Sequence, residues 1–253
     1  MLKQINGFIT VRSSSSRLAK KCFLDFLGIS VLEHIILRCK FGGINPIICT
    51  TINKEDDKII ETAKKLNIRF FRGPENNKIL RWMLCCNKFK IKKFHTIDAD
   101  DLFFDWNAVK ESMKNLHINR KDIILPSLVS RSGGASEGYS ISIECLEKIF
   151  LLYPFLKGNN CNTELIEPFL KTKEFKIETF KGMSYEIKKA RLTLDYQEDY
   201  KFFQRVGMYN GNFNNRKNIN FFLKKNSNLL RINFYKNLAW EKKQNQFIKN
   251  VKL

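Results

Sequence analysis

The sequence predicts an α/β fold in which helices cover both faces of a mainly parallel sheet. The chain has 253 residues, enough to enclose one large core. Short apolar runs alternate with segments whose apolar residues recur every three to four positions, which is typical of alternating strands and helices. Such repetition requires crossover connections, and these join parallel strands. Ligands bind beyond the carboxyl ends of strands in sheets of this kind, so we expect the functional residues there.

The first half of the chain is the more regular. Its apolar runs are short enough for buried strands, and the segments between them have one apolar helical face. In the segment Ser30–Phe41, for example, Leu32, Ile35 and Ile36 share that face. The predicted strands are Ile5–Val11, Asn45–Thr50, Ile68–Phe71 and Phe94–Asp98, and the predicted helices are Ser30–Phe41, Glu55–Leu66 and Asn77–Phe89.

The second half is less regular but continues the same alternation. Its predicted strands are Ile123–Pro126, Tyr139–Ile143, Lys176–Phe180 and Arg191–Leu194, and its predicted helices are Glu144–Leu152, Glu198–Val206, Asn218–Lys225 and Phe234–Lys249. No internal repeat and no Pro/Gly-rich linker interrupts the chain. We therefore predict one domain over residues 1–207 and a basic helical C-terminal extension over residues 208–253, which packs on the domain or on a second subunit.

Net charge is the unusual property of the composition. Lys and Arg number 45 against 25 Asp and Glu, which gives a formal net charge of +20 and a pI near 9.7. Residues 1–200 contribute +9 and residues 201–253 contribute +11, with Glu241 as the single acid of that tail. This charge permits a polyanionic partner, but a solvated basic face is the favoured interpretation. We expect no nucleic-acid partner.

The cysteines and the hydropathy pattern point to the cytoplasm. The seven cysteines are an odd number with no C-x-x-C pair, which argues against a disulfide framework or a structural zinc site. The sequence has no apolar core of a signal peptide and no apolar stretch long enough to span a bilayer. We expect a soluble cytoplasmic protein with no membrane partner.

The segment Val11–Lys21 follows the first predicted strand and is rich in serine and basic residues. Serine hydroxyls and backbone N–H groups can bind phosphate oxygens, and Arg and Lys can neutralise their charge. The segment lacks the G-x-x-x-x-G-K-[ST] pattern of a Walker A loop. A polyphosphate site is one interpretation of this segment, and an ordinary basic loop is the other, which the residues alone favour.

Acidic residues follow the fourth predicted strand. Asp98, Asp100 and Asp101 are crowded there, with Asp105 beyond them, and crowded carboxylates repel one another unless a cation is present. Mg²⁺ is usually held by one or two carboxylates together with substrate phosphates. Metal binding is one interpretation, and capping of the next helix by Asp101 or Asp105 is the other.

These two segments carry a resemblance to a known family. The run Ile9–Phe23 (ITVRSSSSRLAKKCF) resembles the R-x-x-S-x-R-L-x-x-K motif of the acylneuraminate cytidylyltransferase superfamily, the CMP-sugar synthetases. Four further stretches, in the same order, look like its spore-coat polysaccharide cytidylyltransferase branch. They are Phe71–Trp82 (FRGPENNKILRW), Thr96–Asp105, Glu164–Ile177 (ELIEPFLKTKEFKI) and Arg191–Tyr200 (RLTLDYQEDY).

The resemblance implies a Rossmann-like, glycosyltransferase-A-like nucleotidyltransferase fold. Its implied reaction transfers CMP from CTP to a small anionic acceptor, usually a sugar acid, with Mg²⁺ and release of pyrophosphate. Homodimers are usual in the superfamily, so we expect one here.

Site residues follow from the resemblance position by position. The loop residues on or beside the CTP-binding positions are Val11, Arg12, Ser14, Ser15, Arg17 and Lys21. Asp100 falls on the principal metal ligand and Asp195 on the second, while Asp98 lies beside the same ion in a D-x-D arrangement and is grouped with the nucleotide site. Gly73, Asn77 and Arg81 fall on positions that line the nucleotide pocket. The implied catalytic residues are Arg12, Lys21, Asp100 and Asp195.

The sequence departs from the family pattern at several positions. Ser14 stands where glycine is usual, which would strain a loop that needs a positive φ there. Ala99 replaces the glycine before the metal-binding aspartate, and Leu165 replaces a histidine. These changes leave the phosphate-binding and metal-binding groups in place, so we expect activity.

The acceptor is expected to contact the glycine-rich loop Ser130–Tyr139. Arg131 can bind a carboxylate or phosphonate, and Glu164 can accept a hydrogen bond from a sugar hydroxyl or an ammonium group. A solvated arginine and a helix-capping glutamate are the alternative interpretations. His34, His95 and His117 are expected to be structural.

Other functions remain compatible with the sequence. A metal-dependent nucleotide-sugar glycosyltransferase would share the D-x-D arrangement but would not need the Val11–Lys21 segment. A cytidylyltransferase acting on a phosphonate-type acceptor would use the same chemistry as the favoured reading. A basic RNA-binding protein would rest on the charge alone.

Overall fold

A seven-stranded sheet forms the centre of the fold. The computed structural model describes residues 4–15, 17–131, 137–159, 161–239 and 241–242. The strands are β1 (Ile5–Thr10), β2 (Asp25–Phe26), β3 (Ile29–Ser30), β4 (Ile44–Thr51), β5 (Arg69–Gly73), β6 (Lys93–Asp98), β7 (Ile123–Leu125), β8 (Ser140–Ser142) and β9 (Ile177–Thr179). The large sheet has the order β5-β4-β1-β6-β8-β7-β9, while β2 and β3 form a separate short hairpin.

Most neighbours in the large sheet are parallel. Strands β5, β4, β1 and β6 run in one direction, β8 is antiparallel to β6 and β7, and β9 is parallel to β7. The predicted α/β class with a mainly parallel sheet is confirmed.

Helices connect the strands, and most of them lie close to the predicted positions. They are α1 (Val31–Phe41), α2 (Asp57–Lys65), α3 (Lys78–Phe89), α4 (Trp106–Ile118), α5 (Leu128–Arg131), α6 (Ile143–Leu152), α7 (Gln197–Asn210) and α8 (Arg216–Lys225). Helix α1 begins at a capping box, in which Ser30 accepts a hydrogen bond from Glu33 N and donates its own N–H to the Glu33 carboxylate. Such a box satisfies backbone donors that a helix start leaves unpaired.

Each face of the large sheet packs against its own helices. On one face Leu32 and Ile35 of α1 and Ile59 of α2 are buried against Ile9 and Ile48 of the sheet. The opposite face buries residues of α3 and α6 in a second cluster; its members include Phe8, Ile47, Ile79, Trp82, Phe94, Leu146 and Ile149. The sheet is therefore covered on both sides, as a mainly parallel sheet requires.

The C-terminal part of the chain packs against the edge of this core. Ile219 and Leu223 of α8 lie in a buried cluster with Phe202 of α7 and with Phe26 and Leu102 from the first half of the chain. Helix α7 runs through residue 207, the predicted domain boundary. Among the described residues, no helix is long and apolar enough to cross a bilayer.

Two predicted elements near the C-terminus differ from the structure. Arg191–Leu194 is not a strand, although Leu192 and Leu194 are buried as the alternation predicted. Leu194 N instead donates to Asp100 O at 2.9 Å, beyond the end of β6, where there is no strand ladder to join. Of the predicted helix Phe234–Lys249, residues 234–236 form a short 3-10 turn instead. Residues 237–239 and 241–242 are helical as predicted, and residues 240 and 243–249 lie outside the described part of the chain.

We predict that Gly138→Ala destabilises the fold more than Gly211→Ala. Both glycines have positive φ, +65° and +69°, so both variants strain the backbone. A Cβ at Gly138 would lie 2.0 Å from Thr96 O, whereas one at Gly211 meets nothing within 4 Å. We expect losses of unfolding free energy of about 1–2 kcal/mol for Gly211→Ala and about 1–3 kcal/mol more for Gly138→Ala. Urea denaturation measures both, and equal losses would contradict the close approach at Gly138.

Candidate functional site

The carboxyl ends of four parallel strands meet at one edge of the sheet. Thr10, the last residue of β1, is paired with Cys49 of β4 and with Asp98, the last residue of β6. Strand β5 ends beside β4, where Gly73 pairs with Thr51. The segments that follow these strands therefore line a common cleft, which brings together the serine-rich loop and the acidic residues that the sequence singled out.

A buried aspartate fixes the start of the serine-rich loop. The Asp56 carboxylate accepts hydrogen bonds from Ser13 N at 2.7 Å and Ser13 Oγ at 2.8 Å. It also accepts from Thr50 Oγ1, Thr51 N and Thr51 Oγ1. Burial alone would raise the pKa of Asp56, but hydrogen bonds from Thr51 and Ser13 favour the charged form and lower it overall. Sequence reasoning missed Asp56, although an acid soon after a strand is the same signal that singled out Asp98.

The rest of the loop turns toward the cleft. Arg12 and Ser14 are exposed, and Ser14 Oγ donates to Glu75 Oε1 at 3.4 Å. Ser14 does not have a positive φ, so the loop follows a path that needs no glycine there. Ser15 Oγ accepts a hydrogen bond from Leu18 N at 3.5 Å, while Val11 is buried and its N–H donates to Cys49 O.

Two basic side chains of the loop contact two of the predicted metal ligands. Lys21 Nζ lies 2.5 Å from Asp100 Oδ2 and 2.9 Å from Asp195 Oδ1. An Arg17 guanidinium nitrogen lies 2.7 Å from the same Asp195 oxygen. Lys21 therefore bridges the carboxylates of Asp100 and Asp195, which come from distant parts of the sequence.

The pKa values in this cluster reflect opposing effects. Burial alone would lower the pKa of Lys21, but Asp100 and Asp195 outweigh burial and raise it. Burial alone would raise the pKa of Asp195, but Lys21 and Arg17 lower it. Lys21 and Asp195 are consequently held in their charged forms at neutral pH.

A compact group of carboxylates lies next to this cluster. Among the described residues, Asp98, Asp100 and Asp101 each present a carboxylate oxygen within 4.8 Å of the others. Enclosure in the cleft raises the pKa of Asp98 to about 6; Lys78 opposes that rise, and Asp100 and Glu164 add to it. Burial and the neighbouring carboxylates also raise the pKa of Asp101. A divalent cation would relieve this repulsion, so the donor set fits a hard cation such as Mg²⁺.

Asp195 and the acidic residues at and after the end of β6 make different contacts. Asp98 and Asp100 are grouped with Asp101, whereas Asp195 reaches Asp100 through Lys21. Asp105 caps α4 by accepting from Asn107 N at 2.9 Å, one of the two capping residues that the sequence suggested.

Gly73, Arg81 and Asn77 lie where β5 passes into α3. A Cβ at Gly73 would approach Arg81 Cγ to 3.0 Å, so glycine allows the arginine to pack on the strand end. Arg81 donates to Pro74 O at 2.6 Å and Glu75 O at 3.1 Å. Asn77 is fully buried, and its amide nitrogen donates to backbone oxygens of the 156–158 turn. The structure thus gives Arg81 and Asn77 positioning contacts within the protein.

Glu164 lies across the cleft among basic side chains. Lys78 Nζ is 4.0 Å from Glu164 Oε1, and Lys78 is the largest of the effects that lower the pKa of Glu164, with Arg12 and Arg81 contributing further. Sequence reasoning missed Lys78, which follows β5 as the first residue of α3. The Arg131 side chain and residues 132–136 of the predicted acceptor loop lie outside the described part of the structure.

Two of the three histidines that were expected to be structural are buried, whereas His117 is exposed. The two buried histidines are His34 and His95. His34 Nε2 is hydrogen-bonded to Leu102 O. His95 Nδ1 is hydrogen-bonded to Ser140 Oγ, and His95 Nε2 to Glu137 O. Burial lowers the pKa of His34 to about 3 and that of His95 to about 4, so both rings are neutral at pH 7.

Comparison with known proteins identifies the fold. No family model matches the sequence. An uncharacterised protein of Methanocaldococcus jannaschii is 32% identical over 98 residues, which is 38% of this chain and 38% of that protein. The chain therefore matches well under half the length of this curated relative.

Solved structures cover much more of the chain. A cytidylyltransferase from Leptospira borgpetersenii superposes with a TM-score of 0.77 at 23% identity and covers 90% of this chain and 96% of its own. A CMP:2-keto-3-deoxy-manno-octonic acid synthetase complexed with CTP gives a TM-score of 0.62 at 11% identity, over 82% and 99% of the two chains. A 4-diphosphocytidyl-2C-methyl-D-erythritol synthase from Anaerococcus prevotii gives 0.56 at 16% identity, over 81% and 96%. The chain has the Rossmann-like fold of these nucleotidyltransferases.

We predict that Asp56→Asn destabilises the protein in a pH-dependent way. The amide directs N–H groups at buried donors of Ser13 or Thr51, and each unsatisfied buried group costs about 1–3 kcal/mol. The lowered pKa of Asp56 contributes stability that is complete above the ordinary aspartate value of about 3.9 and is lost as the pH falls through the lower folded-state pKa. Urea denaturation at pH 7 and at acidic pH should show the gap between variant and wild type shrinking on acidification.

The matched control is Asp57→Asn, which changes the adjacent exposed carboxylate paired with Arg72. It should alter stability at pH 7 by less than about 1 kcal/mol. Equal losses in the two variants would argue against Asp56 as the anchor of the loop.

Proposed function

We infer that this protein is a Mg²⁺-dependent cytidylyltransferase that transfers CMP from CTP to a small anionic acceptor, a sugar acid used in surface-polysaccharide synthesis. The observation that carries the proposal is the contact of Lys21, from the loop after β1, with Asp100 and Asp195 at the carboxyl edge of the sheet. The likeness in fold to solved cytidylyltransferases supports the same reading.

The cleft supplies the two kinds of group that transfer from a triphosphate requires. Arg12, Arg17 and Lys21 offer positive charge to phosphate oxygens, and Arg forks suit phosphate geometry. Asp98, Asp100 and Asp101 offer oxygen ligands to a divalent ion, with Asp195 linked to them through Lys21. When bound, Mg²⁺ supplies charge neutralisation on the phosphates and lowers the pKa of the attacking hydroxyl.

The proposed reaction is an in-line displacement at the α-phosphorus. The acceptor hydroxyl oxygen forms a bond to the α-phosphorus while the bond from that phosphorus to the α–β bridging oxygen breaks. Pyrophosphate leaves with the bonding electrons, and the hydroxyl proton passes to solvent water. Arg12 and Lys21 stabilise the charge that develops on the pyrophosphate, so catalysis consists of positioning and charge neutralisation.

An anionic acceptor agrees with the charge around Glu164. Lys78, Arg12 and Arg81 act on the Glu164 carboxylate from within the cleft, and their excess of positive charge suits a carboxylate-bearing substrate. Glu164 itself can accept a hydrogen bond from an acceptor hydroxyl, and Arg131 is proposed to contribute from the neighbouring loop.

We predict Mg²⁺-dependent stabilisation of the protein by CTP and release of pyrophosphate once an acceptor is present. A ligand that binds only the native state raises the unfolding temperature, so a thermal-shift screen with CTP, UTP, ATP and GTP identifies the nucleotide. A glycosyltransferase would instead respond to a nucleotide sugar without releasing pyrophosphate. Binding to RNA that falls steeply with salt and persists without Mg²⁺ would favour the RNA-binding alternative.

We predict that Lys21→Ala lowers the rate of pyrophosphate release by about 10²-fold or more, the scale of one preorganised electrostatic group. The adjacent Lys20 is exposed, and Lys20→Ala should keep the rate within about twofold, as expected for a surface position. The unfolding temperature of each variant is measured alongside. A loss below tenfold in folded Lys21→Ala would mean that this lysine is peripheral to the chemistry.

A further inference from the structure

The backbone around Asp195 is held by a buried ion pair. Arg191 and Asp199 are both fully buried, and Arg191 Nε and Nη2 donate to the two Asp199 carboxylate oxygens at 2.8 and 3.1 Å. Asp199 Oδ2 also accepts from Asp195 N and from Tyr196 N, each at 2.9 Å. Arg191 Nη2 lies 3.4 Å from Asp195 Oδ2. The orientation of this pair therefore sets the position of Asp195.

Two asparagines from the C-terminal part of the chain complete the ion pair. Asn233 Nδ2 donates to Arg191 O and to Asp199 Oδ1, both at 3.0 Å. Asn237 Oδ1 accepts a hydrogen bond from Arg191 Nη1 at 3.2 Å. Asn233 is fully buried and Asn237 nearly so. Both belong to the region that the sequence presents only as a basic extension.

The surrounding contacts hold this region against the start of α7. Lys236 Nζ lies 3.0 Å from Glu198 Oε1, and Tyr235 OH donates to the same oxygen at 3.2 Å. Lys236 Nζ also lies over the Tyr196 ring, 5.2 Å from its centroid. The segment is thus attached on both sides of Asp195, through buried amides and through a partly exposed ion pair.

The geometry of a buried ion pair depends on each hydrogen-bond partner of its two charged groups. Water does not compensate for a lost hydrogen bond at a fully buried charge, so the charged groups rearrange when a partner is removed. Asp199 bonds directly to the Asp195 and Tyr196 N–H groups, so rearrangement of Asp199 displaces the Asp195 carboxylate. A ligand geometry that shifts by a fraction of an ångström loses metal affinity and rate.

We propose that Asn233 and Asn237 are positioning residues of the active centre, which set Asp195 through the Arg191–Asp199 pair. The C-terminal segment is then part of the catalytic apparatus. This inference rests on the proposed function, because it takes Asp195 as a ligand of the phosphate–metal site.

The test compares Asn233→Ala and Asn237→Ala with Asn220→Ala. Asn220 is a matched control, since it is also fully buried and its Oδ1 accepts from a buried arginine, Arg216, at 3.1 Å. Arg216 pairs with Glu186, away from Asp195. Asn220→Ala therefore reproduces the loss of a buried amide without touching the support of Asp195.

Affinity for Mn²⁺, titrated by electron paramagnetic resonance without nucleotide or acceptor, is the first readout. We expect Asn233→Ala to weaken Mn²⁺ binding by about tenfold or more, which is typical when a residue that supports a metal ligand is removed. Asn237→Ala should weaken Mn²⁺ binding to a smaller extent. Asn220→Ala should stay within about twofold of wild type, because it acts on an independent site. The unfolding temperature of each variant is recorded, and Asn237→Ala decides the question if Asn233→Ala does not fold.

Pyrophosphate release is the second readout and separates the two levels of the inference. Unchanged Mn²⁺ affinity in both tail variants, or an equal loss in Asn220→Ala, overturns the positioning role even if the wild type is fully active. A wild type that releases no pyrophosphate from CTP with any sugar acid overturns the proposed function. An Asp195→Asn variant that binds Mn²⁺ as tightly as wild type would show that Asp195 is not a metal ligand. That result also overturns the positioning role.

Discussion

The cleft of this protein depends on the contact between the Lys21 ammonium and the carboxylates of Asp100 and Asp195. Two carboxylates that face each other in a partly dry cleft repel unless a cation lies between them. Lys21 supplies that cation, and Arg17 adds a second positive charge on Asp195. The same balance makes the cleft suitable for a substrate that brings its own negative charge together with a divalent ion.

Buried polar contacts outside the cleft fix the positions of the charged groups that line it. Asp56 ties the serine-rich loop to β4 through Ser13, Thr50 and Thr51. The Arg191–Asp199 pair does the same for Asp195. Because buried hydrogen-bonded networks permit few alternative arrangements, the serine-rich loop of one half and the irregular segment around Asp195 meet with defined geometry.

The elements that the sequence predicted well are those with a local signal. Helix α1 has both an apolar face and a capping box at Ser30, and it begins within one residue of the prediction. Arg191–Leu194 also has an alternating pattern, but the burial of its leucines comes from packing under α7 and not from a sheet. Alternation reports which side chains are buried, whereas a strand needs a neighbouring backbone to pair with.

The sequence by itself determined which chemical groups follow each strand: serines and basic residues after β1, and carboxylates after β6. Those positions depend on hydrophobic periodicity, a short-range property of the chain. The tertiary structure decided which of these groups meet. It inserted Lys21 between Asp100 and Asp195, and it brought Asn233 into contact with Asp199. These contacts join residues far apart in the chain, so their distances exist only once the sheet and the C-terminal helices have packed.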